Sequence, residues 1–228
     1  LVGVGFSRDM VDIDEELDLD EGKLKYKYKY KEEDIDGAKV KMKIKEDLAA
    51  AEVYLMKAYH ADNENFVTLN NMGAHYLTVG EYKKAKEYLD RSAQHQDSEG
   101  VNYNLGVYHA KMGDYKKAEK HFDRVNNVSN IEYNRGLAKL MNGNNEEALR
   151  DFQTFSSANT EYALGHYLTA VAAARLGIKD VMTNELEHAM NRNSNLSDVA
   201  EEDLEFRAYW DDEDFKEASD DDFTTSKD

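Results

Sequence analysis

Apolar and polar positions along this chain follow two different periods. Across the middle of the chain, apolar residues return at helical spacing, as in Leu105, Tyr108 and Met112 or Val171, Ala174 and Leu176, which predicts amphipathic helices. Near the N-terminus the period is two. Lys23-Leu24-Lys25-Tyr26-Lys27-Tyr28-Lys29-Tyr30-Lys31 alternates strictly, and so does Lys39-Val40-Lys41-Met42-Lys43-Ile44-Lys45. Such alternation predicts two strands with Leu24, Tyr26, Tyr28 and Tyr30 on one face. Asp36-Gly37 between them is a turn signal, so a β-hairpin is expected, its apolar face capping the first helix pair. A Lys–Tyr platform for a polyanion is the alternative, but the acidic residues at 32–36 compete for those lysines.

The helical part repeats itself. Gly80-Glu81-Tyr82-Lys83-Lys84-Ala85-Lys86-Glu87-Tyr88-Leu89 returns as Gly113-Asp114-Tyr115-Lys116-Lys117-Ala118-Glu119-Lys120-His121-Phe122, 33 residues on. The frame continues at Gly143 with Ala148 and Phe152, and at Gly177 with Met182 and Leu186. Upstream, Ala51, Leu55 and Ala58 fill the places of Ala85, Leu89 and Ser92. A fixed period of this length marks stacked supersecondary units, none of which can bury its apolar face alone. Gly80, Gly113, Gly143 and Gly177 end the first helix of each unit, where a left-handed cap is needed. Gly73, Gly106 and Gly136, facing Ala85, Ala118 and Ala148, are expected at close helix crossings.

These residues resemble the tetratricopeptide-repeat (TPR) family. Leu69-x2-Met72-Gly73-x2-Tyr76 with Ala85-x3-Leu89, and Asn102-x2-Leu105-Gly106-x2-His109 with Ala118-x3-Phe122, match its helix-turn-helix pattern. Arg135-Gly136 with Ala148-x3-Phe152 is a weaker match, the last unit has Ala170 for the first-helix Gly, and the closing Pro is missing throughout. The resemblance implies an all-α fold, a right-handed superhelical α-solenoid of TPR helix pairs, with the small N-terminal hairpin added. Residues 1–45 would be an acidic segment and the hairpin, 46–194 about four units, the first partial, and 195–228 a capping helix and acidic tail.

Charge sharpens this division. The net charge of −18 is concentrated at the ends. Residues 1–22 hold one Arg against eight carboxylates, 23–45 hold nine Lys against four acids, and 195–228 hold three cations against 14 acids. The repeats are only mildly acidic, without the clustered basic footprint that phosphate binding needs, so no nucleic-acid partner is expected. No run reaches the 18 or so apolar residues of a membrane helix, so no membrane insertion is expected either. With no Cys there is no disulfide or thiolate chemistry. The chain begins Leu1-Val2-Gly3; it reads as a processed or excised piece, with a lean to an extracytoplasmic setting.

Candidate chemistry is sparse. The acidic stretch Asp12–Gly22 lacks the Gly that a calcium loop places sixth, and no two of the seven His stand four apart. Neither a metal nor any cofactor is expected, and no nucleophile–base spacing suggests an enzyme. Beyond Asn193, Ser197 is read as an N-cap, with a closing helix around 197–209 and a short element over Asp211–Ala218. Leu204, Phe206, Tyr209, Trp210 and Phe215 are its expected anchors, Trp210 alternatively a ligand-binding aromatic. The tail from 219 on cannot bury a core.

The TPR frame implies a concave groove lined by first helices. It places Asn70, Tyr103, Val107, Tyr133, Leu137, Met141, Tyr167 and Arg175 along it, the three tyrosines at equivalent places forming a ladder. Chaperone-type TPR domains hold a terminal carboxylate with Lys, Asn and Arg at matching places; only Asn70 fits here, so that ligand is not expected. The implied function is a non-catalytic scaffold or adaptor gripping a protein or peptide segment. The alternative is a structural repeat portion of a larger bacterial extracytoplasmic or envelope protein. A third class, a small-ligand binder using the tyrosine ladder, ranks below both.

Overall fold

A computed structural model of the chain describes residues 12–13, 28–29 and 37–220. Two two-residue strands, β1 (Asp12–Ile13) and β2 (Tyr28–Lys29), pair antiparallel. The rest is helical: α1 (Gly37–Ala61), α2 (Phe66–Thr78), α3 (Tyr82–His95), α4 (Glu99–Lys111), α5 (Tyr115–Phe122), α6 (Ile131–Met141), α7 (Asn145–Ala158), α8 (Ala163–Leu176), α9 (Lys179–Met190) and α10 (Leu196–Glu202). A 3₁₀ helix (Leu204–Tyr209) and α11 (Glu213–Ser219) follow.

The expected hairpin is corrected here. Its second arm, residues 39–45, lies inside α1, and the strand containing Tyr28 pairs with Asp12–Ile13 instead. Lys, Met and Ala are good helix formers, and the run continues directly into Asp47-Leu48-Ala49-Ala50-Ala51. Helix propagation from that stable stretch overrides the local alternation, because each added residue gains a bond without a new nucleus. The expected turn at 32–36 and the acidic tail beyond 220 lie outside the described residues.

The chain divides into two compact units, Leu1–Lys111 and Met112–Asp228. In the first, α1 packs on α2, α2 on α3, and α4 lies against both α2 and α3. Leu55, Leu69, Met72, Leu89 and Val101 form its core. In the second, α6 packs on α5 and α7, α8 on α7 and α9, and α11 on α9, around Phe152, Phe155, Leu168, Met182 and Leu186.

The turn glycines behave as the repeat frame predicts. Gly80, Gly113, Gly143 and Gly177 have φ between +72° and +85°, a region that costs a residue with a Cβ. Around Gly80 the Glu81 N–H donates to the Tyr76 carbonyl at 2.8 Å, and around Gly143 the Asn144 N–H donates to the Lys139 carbonyl at 2.9 Å. These are the six-residue closures that satisfy carbonyls left over at a helix end. Side chains cap other ends: Asn65 Oδ1 accepts from the Thr68 N–H at 3.0 Å and Asp114 Oδ1 from the Lys117 N–H at 3.3 Å.

Two of the expected close crossings, at Gly73 and Gly136, are present. A Cβ on Gly73 would sit 2.5 Å from the Leu89 side chain, and one on Gly136 would sit 2.8 Å from the wholly buried Phe152 ring. By contrast a Cβ on Gly100 would meet nothing nearer than 3.6 Å. Gly136→Ala should therefore destabilise by about 1–3 kcal/mol through over-packing. Gly100→Ala should be neutral, or stabilising by up to roughly 1 kcal/mol through helix propensity. Denaturant midpoints measure both; a stabilising Gly136→Ala would mean that α6 and α7 are not held at the observed separation.

Candidate functional site

The face the repeat frame assigns to partner binding is built from first helices. In the first unit these are α2 and α4. Asn104 Nδ2 donates to Asn70 Oδ1 at 3.0 Å, which holds the two helices in register at mid-length. Asn70, Ala74, Tyr103 and Asn104 are all half-buried there, while Val107 and Leu77 of the same two helices are buried. Lys111 closes the end of α4, and burial pulls its ammonium pKa down. The surface thus offers carboxamide groups and one partly exposed aromatic ring.

Behind α2, away from Asn70, an aromatic cluster ties α1 to the repeats. Tyr76 stacks on Tyr88 with ring centroids 5.5 Å apart, and Tyr59 meets Tyr88 edge-on at 5.7 Å. Arg91 donates to the Tyr59 hydroxyl at 2.8 Å. Tyr76 donates to Glu52 at 2.9 Å. Burial, then that carboxylate, pushes the Tyr76 phenol up to about 12. This cluster is an anchor for α1.

In the second unit the three-tyrosine expectation separates into different roles. Tyr133 is 9% exposed, set against Phe155 and Tyr162 at 5.1 and 6.0 Å. Burial first, then Tyr162, raises its phenol pKa. Tyr167 is 1% exposed and carries the edge of Phe206 on its ring at 5.7 Å, its hydroxyl donating to Asp203 Oδ2 at 2.8 Å. Of the ladder, only Tyr103 has the partial exposure expected of a groove residue. Sequence equivalence missed this because the occupant of the last place comes from residues 203–210, far along the chain.

That segment covers the face of α8. Tyr209 donates to the Ala174 carbonyl at 3.2 Å. Arg175 donates through Nε and Nη2 to Glu205 at 2.7 and 2.5 Å, and through Nη1 to the Leu140 carbonyl at 2.7 Å. The hydrogen bond from Arg175 is the chief cause that holds the Glu205 carboxyl below its usual pKa. Arg175 is therefore engaged within the chain. Leu137 is half-buried and Met141 47% exposed, so these two keep an open apolar edge.

The cap itself differs from expectation in two respects. The closing helix stops at Glu202, and Asp203 begins a 3₁₀ turn, its Oδ1 accepting from the Glu205 N–H at 3.0 Å. Leu204, read as an anchor, is 73% exposed, because the tight turn points it away while Phe206 goes inward. Trp210 is half-buried with its indole Nε1 shielded from solvent. That environment suits packing in the cap.

Sequence reasoning also missed an ion cluster behind the weakly matching unit. Arg135 donates bidentately to Asp151, with its shortest contact 2.6 Å. Lys139 lies 3.0 Å from Asp151, 3.3 Å from Glu147 and 3.6 Å from Asp123. Lys139 and Asp151 are buried. Burial alone would lower the Lys139 pKa, but Asp151 and its neighbours outweigh it and the net shift is upward. The signal was present as Arg135 and Lys139 four apart on α6, at places where the two preceding units carry Met72 and Leu105, and Tyr76 and His109.

His166 is buried, with Nδ1 2.7 Å from Glu185 Oε2 and Nε2 3.1 Å from the Thr160 carbonyl; both ring nitrogens are used within the fold. Among the described residues no group of three or more His, Cys, Asp or Glu is placed to hold a metal ion. Among the same residues no helix is long and apolar enough to cross a membrane.

Helix pairs closed by left-handed glycines, with small residues at the crossings, define a tetratricopeptide-repeat fold, all-α over the repeats. Solved TPR structures superpose on it. YrrB, described as a TPR protein with an unusual peptide-binding site, matches at TM-score 0.58 and 19% identity over 68% of this chain and 82% of its own. MamA from Desulfovibrio magneticus matches at TM-score 0.58 and 20% identity, over 70% and 95%. PilW, a type IV pilus biogenesis factor, matches at TM-score 0.63 and 14% identity, over 78% and 86%. No protein-family model and no curated protein sequence matches the chain.

Proposed function

We propose that this chain is a non-catalytic interaction module that holds a protein segment against the first-helix face of its N-terminal unit. The observation that carries this reading is the half-exposed strip of Asn70, Ala74, Tyr103 and Asn104 on α2 and α4. Carboxamides can donate to and accept from an extended peptide backbone, and a tyrosine ring supplies a rigid contact face with one polar tip. Tyr is also enriched among residues that dominate interface energetics. The likeness to YrrB, itself described as having a peptide-binding site, supports the class of ligand. Leu137 and Met141 are the corresponding open positions in the second unit, whose Tyr133, Tyr167 and Arg175 are engaged within that unit; Val107 is buried on α4.

The test is selection of binding peptides from a displayed random library, followed by titration with the Tyr103→Ala protein. Affinity should fall by about 2 kcal/mol, the hot-spot range, with little change in thermal midpoint. Peptides that bind the variant as tightly as the parent, or a library that yields no binder, would overturn the proposal.

A further inference from the structure

The turn between α6 and α7 differs in chemistry from the other glycine turns. Gly80, Gly113 and Gly177 follow Val79, Met112 and Leu176, whereas Gly143 follows Asn142. Asn142-Gly143 is the chain's single Asn-Gly pair. A carboxylate of α5 receives the carboxamides on both sides of this turn. Asn142 Nδ2 donates to Glu119 Oε2 at 2.7 Å, and Asn144 Nδ2 donates to Glu119 Oε1 and Oε2 at 2.7 and 2.9 Å. One side chain therefore ties the turn to the preceding helix. Asn142, Gly143 and Asn144 are all exposed.

An asparagine followed by glycine carries its own electrophile and nucleophile. Once its proton passes to base in the solvent, the Gly143 amide nitrogen can bond to the Asn142 Cγ carbonyl. The Cγ–Nδ2 bond then breaks and ammonia leaves, giving a five-membered succinimide. Water opens that ring at either carbonyl. One cleavage restores the backbone with aspartate at position 142; the other routes the backbone through Cβ and Cγ as isoaspartate. Glycine favours the closure because it has no Cβ to crowd the ring. The folded turn opposes it. With ψ of −3° at Asn142, the Gly143 nitrogen eclipses the Asn142 nitrogen and is turned away from the side chain, so the ring cannot close. The Gly143 N–H also donates to the Leu140 carbonyl at 3.2 Å, and the negative charge of Glu119 disfavours loss of that proton.

We propose that Asn142 is a deamidation site, held unreacted by Glu119 and opened to the reaction whenever this turn lifts. The conversion is one-way, since the ammonia is lost to solvent. Aspartate at position 142 presents a carboxylate to Glu119 where a donor stood, and like charges at that distance repel. Isoaspartate lengthens the backbone just where the Gly143 and Asn144 N–H groups return to the Leu140 and Lys139 carbonyls, so α6 loses its closure. Either product loosens α6 from α5, the helix it packs on.

Ageing the full chain in warm, mildly alkaline buffer, with peptide mapping by mass spectrometry, tests this. A short peptide spanning residues 138–147 gives the rate without the latch, and the parent chain should react at Asn142 at least tenfold more slowly. Glu119→Ala should raise the rate at Asn142 at least tenfold over the parent. Asn193, exposed and followed by Ser194, serves as an internal reference. Its rate should stay the same in the variant, whereas general unfolding would speed both sites together. Asn142→Asp, which imitates one product, should lower the denaturant midpoint. A parent chain that reacts as fast as the peptide, a Glu119→Ala protein that ages no faster at Asn142, or equal acceleration at Asn193 would each overturn the proposal. So would an Asn142→Asp protein as stable as the parent, since the modification would then loosen nothing.

Discussion

Replacing Asp151 with Ala should cost about 3–5 kcal/mol, among the largest losses available to any single surface-remote change in this chain. The carboxylate takes three contacts from Arg135 and one from Lys139, with the side chains of Arg135, Lys139 and Asp151 only 10–19% exposed. Removing it leaves two cations facing each other in a partly dry site, and the penalty of an uncompensated buried charge dominates. Glu147 and Asp123 are the remaining acids within reach of Lys139, at 3.3 and 3.6 Å and about half exposed, and they compensate poorly. The triple replacement R135L/K139M/D151L should instead be close to neutral, since well-packed apolar side chains often equal a buried ion cluster. Chemical denaturation of both variants decides the matter. If Asp151→Ala loses less than about 1 kcal/mol, the cluster is hydrated and adds little to the unit.

Phe206→Ala should lose a comparable amount, about 3–5 kcal/mol. Phe206 is wholly buried between Tyr167 and Phe215, with centroids at 5.7 and 5.5 Å. It is the apolar centre of a segment otherwise held by polar contacts from Tyr167, Arg175 and Tyr209. Without it the face of α8 is open, and exposed apolar surface of that kind favours aggregation. The polar contacts add a pH dependence. Because the folded Glu205 carboxyl titrates below its unfolded value, its contribution is complete above the ordinary carboxylate range and is lost as pH falls through the folded pKa. Cap release should therefore be easier in acid, and limited proteolysis after residue 195 would follow it.

Much of the fold was legible in the sequence because its signals are local. The turn glycines, the small residues at the crossings and the 33-residue period each act within one helix pair. The places that failed depend on longer reach. Residues 39–45 alternate like a strand, yet their fate was set by the alanine-rich stretch after them. Tyr133 and Tyr167 share a repeat position with Tyr103, but burial depends on what lies over each, and for Tyr167 that is Asp203 and Phe206. The weak match around Arg135 was the trace of a different kind of core, charged where its neighbours are uncharged. Of the candidate site, the helices that bear it were readable; which side chains stay open along them was not.

Trp210 gives the cap an optical consequence. It is the chain's single tryptophan, half-buried beside the 3₁₀ turn, with its indole nitrogen shielded. Its emission is therefore a private gauge of that corner of the molecule. Should the cap lift while the helices behind it stay wound, the colour of the fluorescence would shift first and the helical signal would follow later. The interval between the two would measure how independently the lid opens.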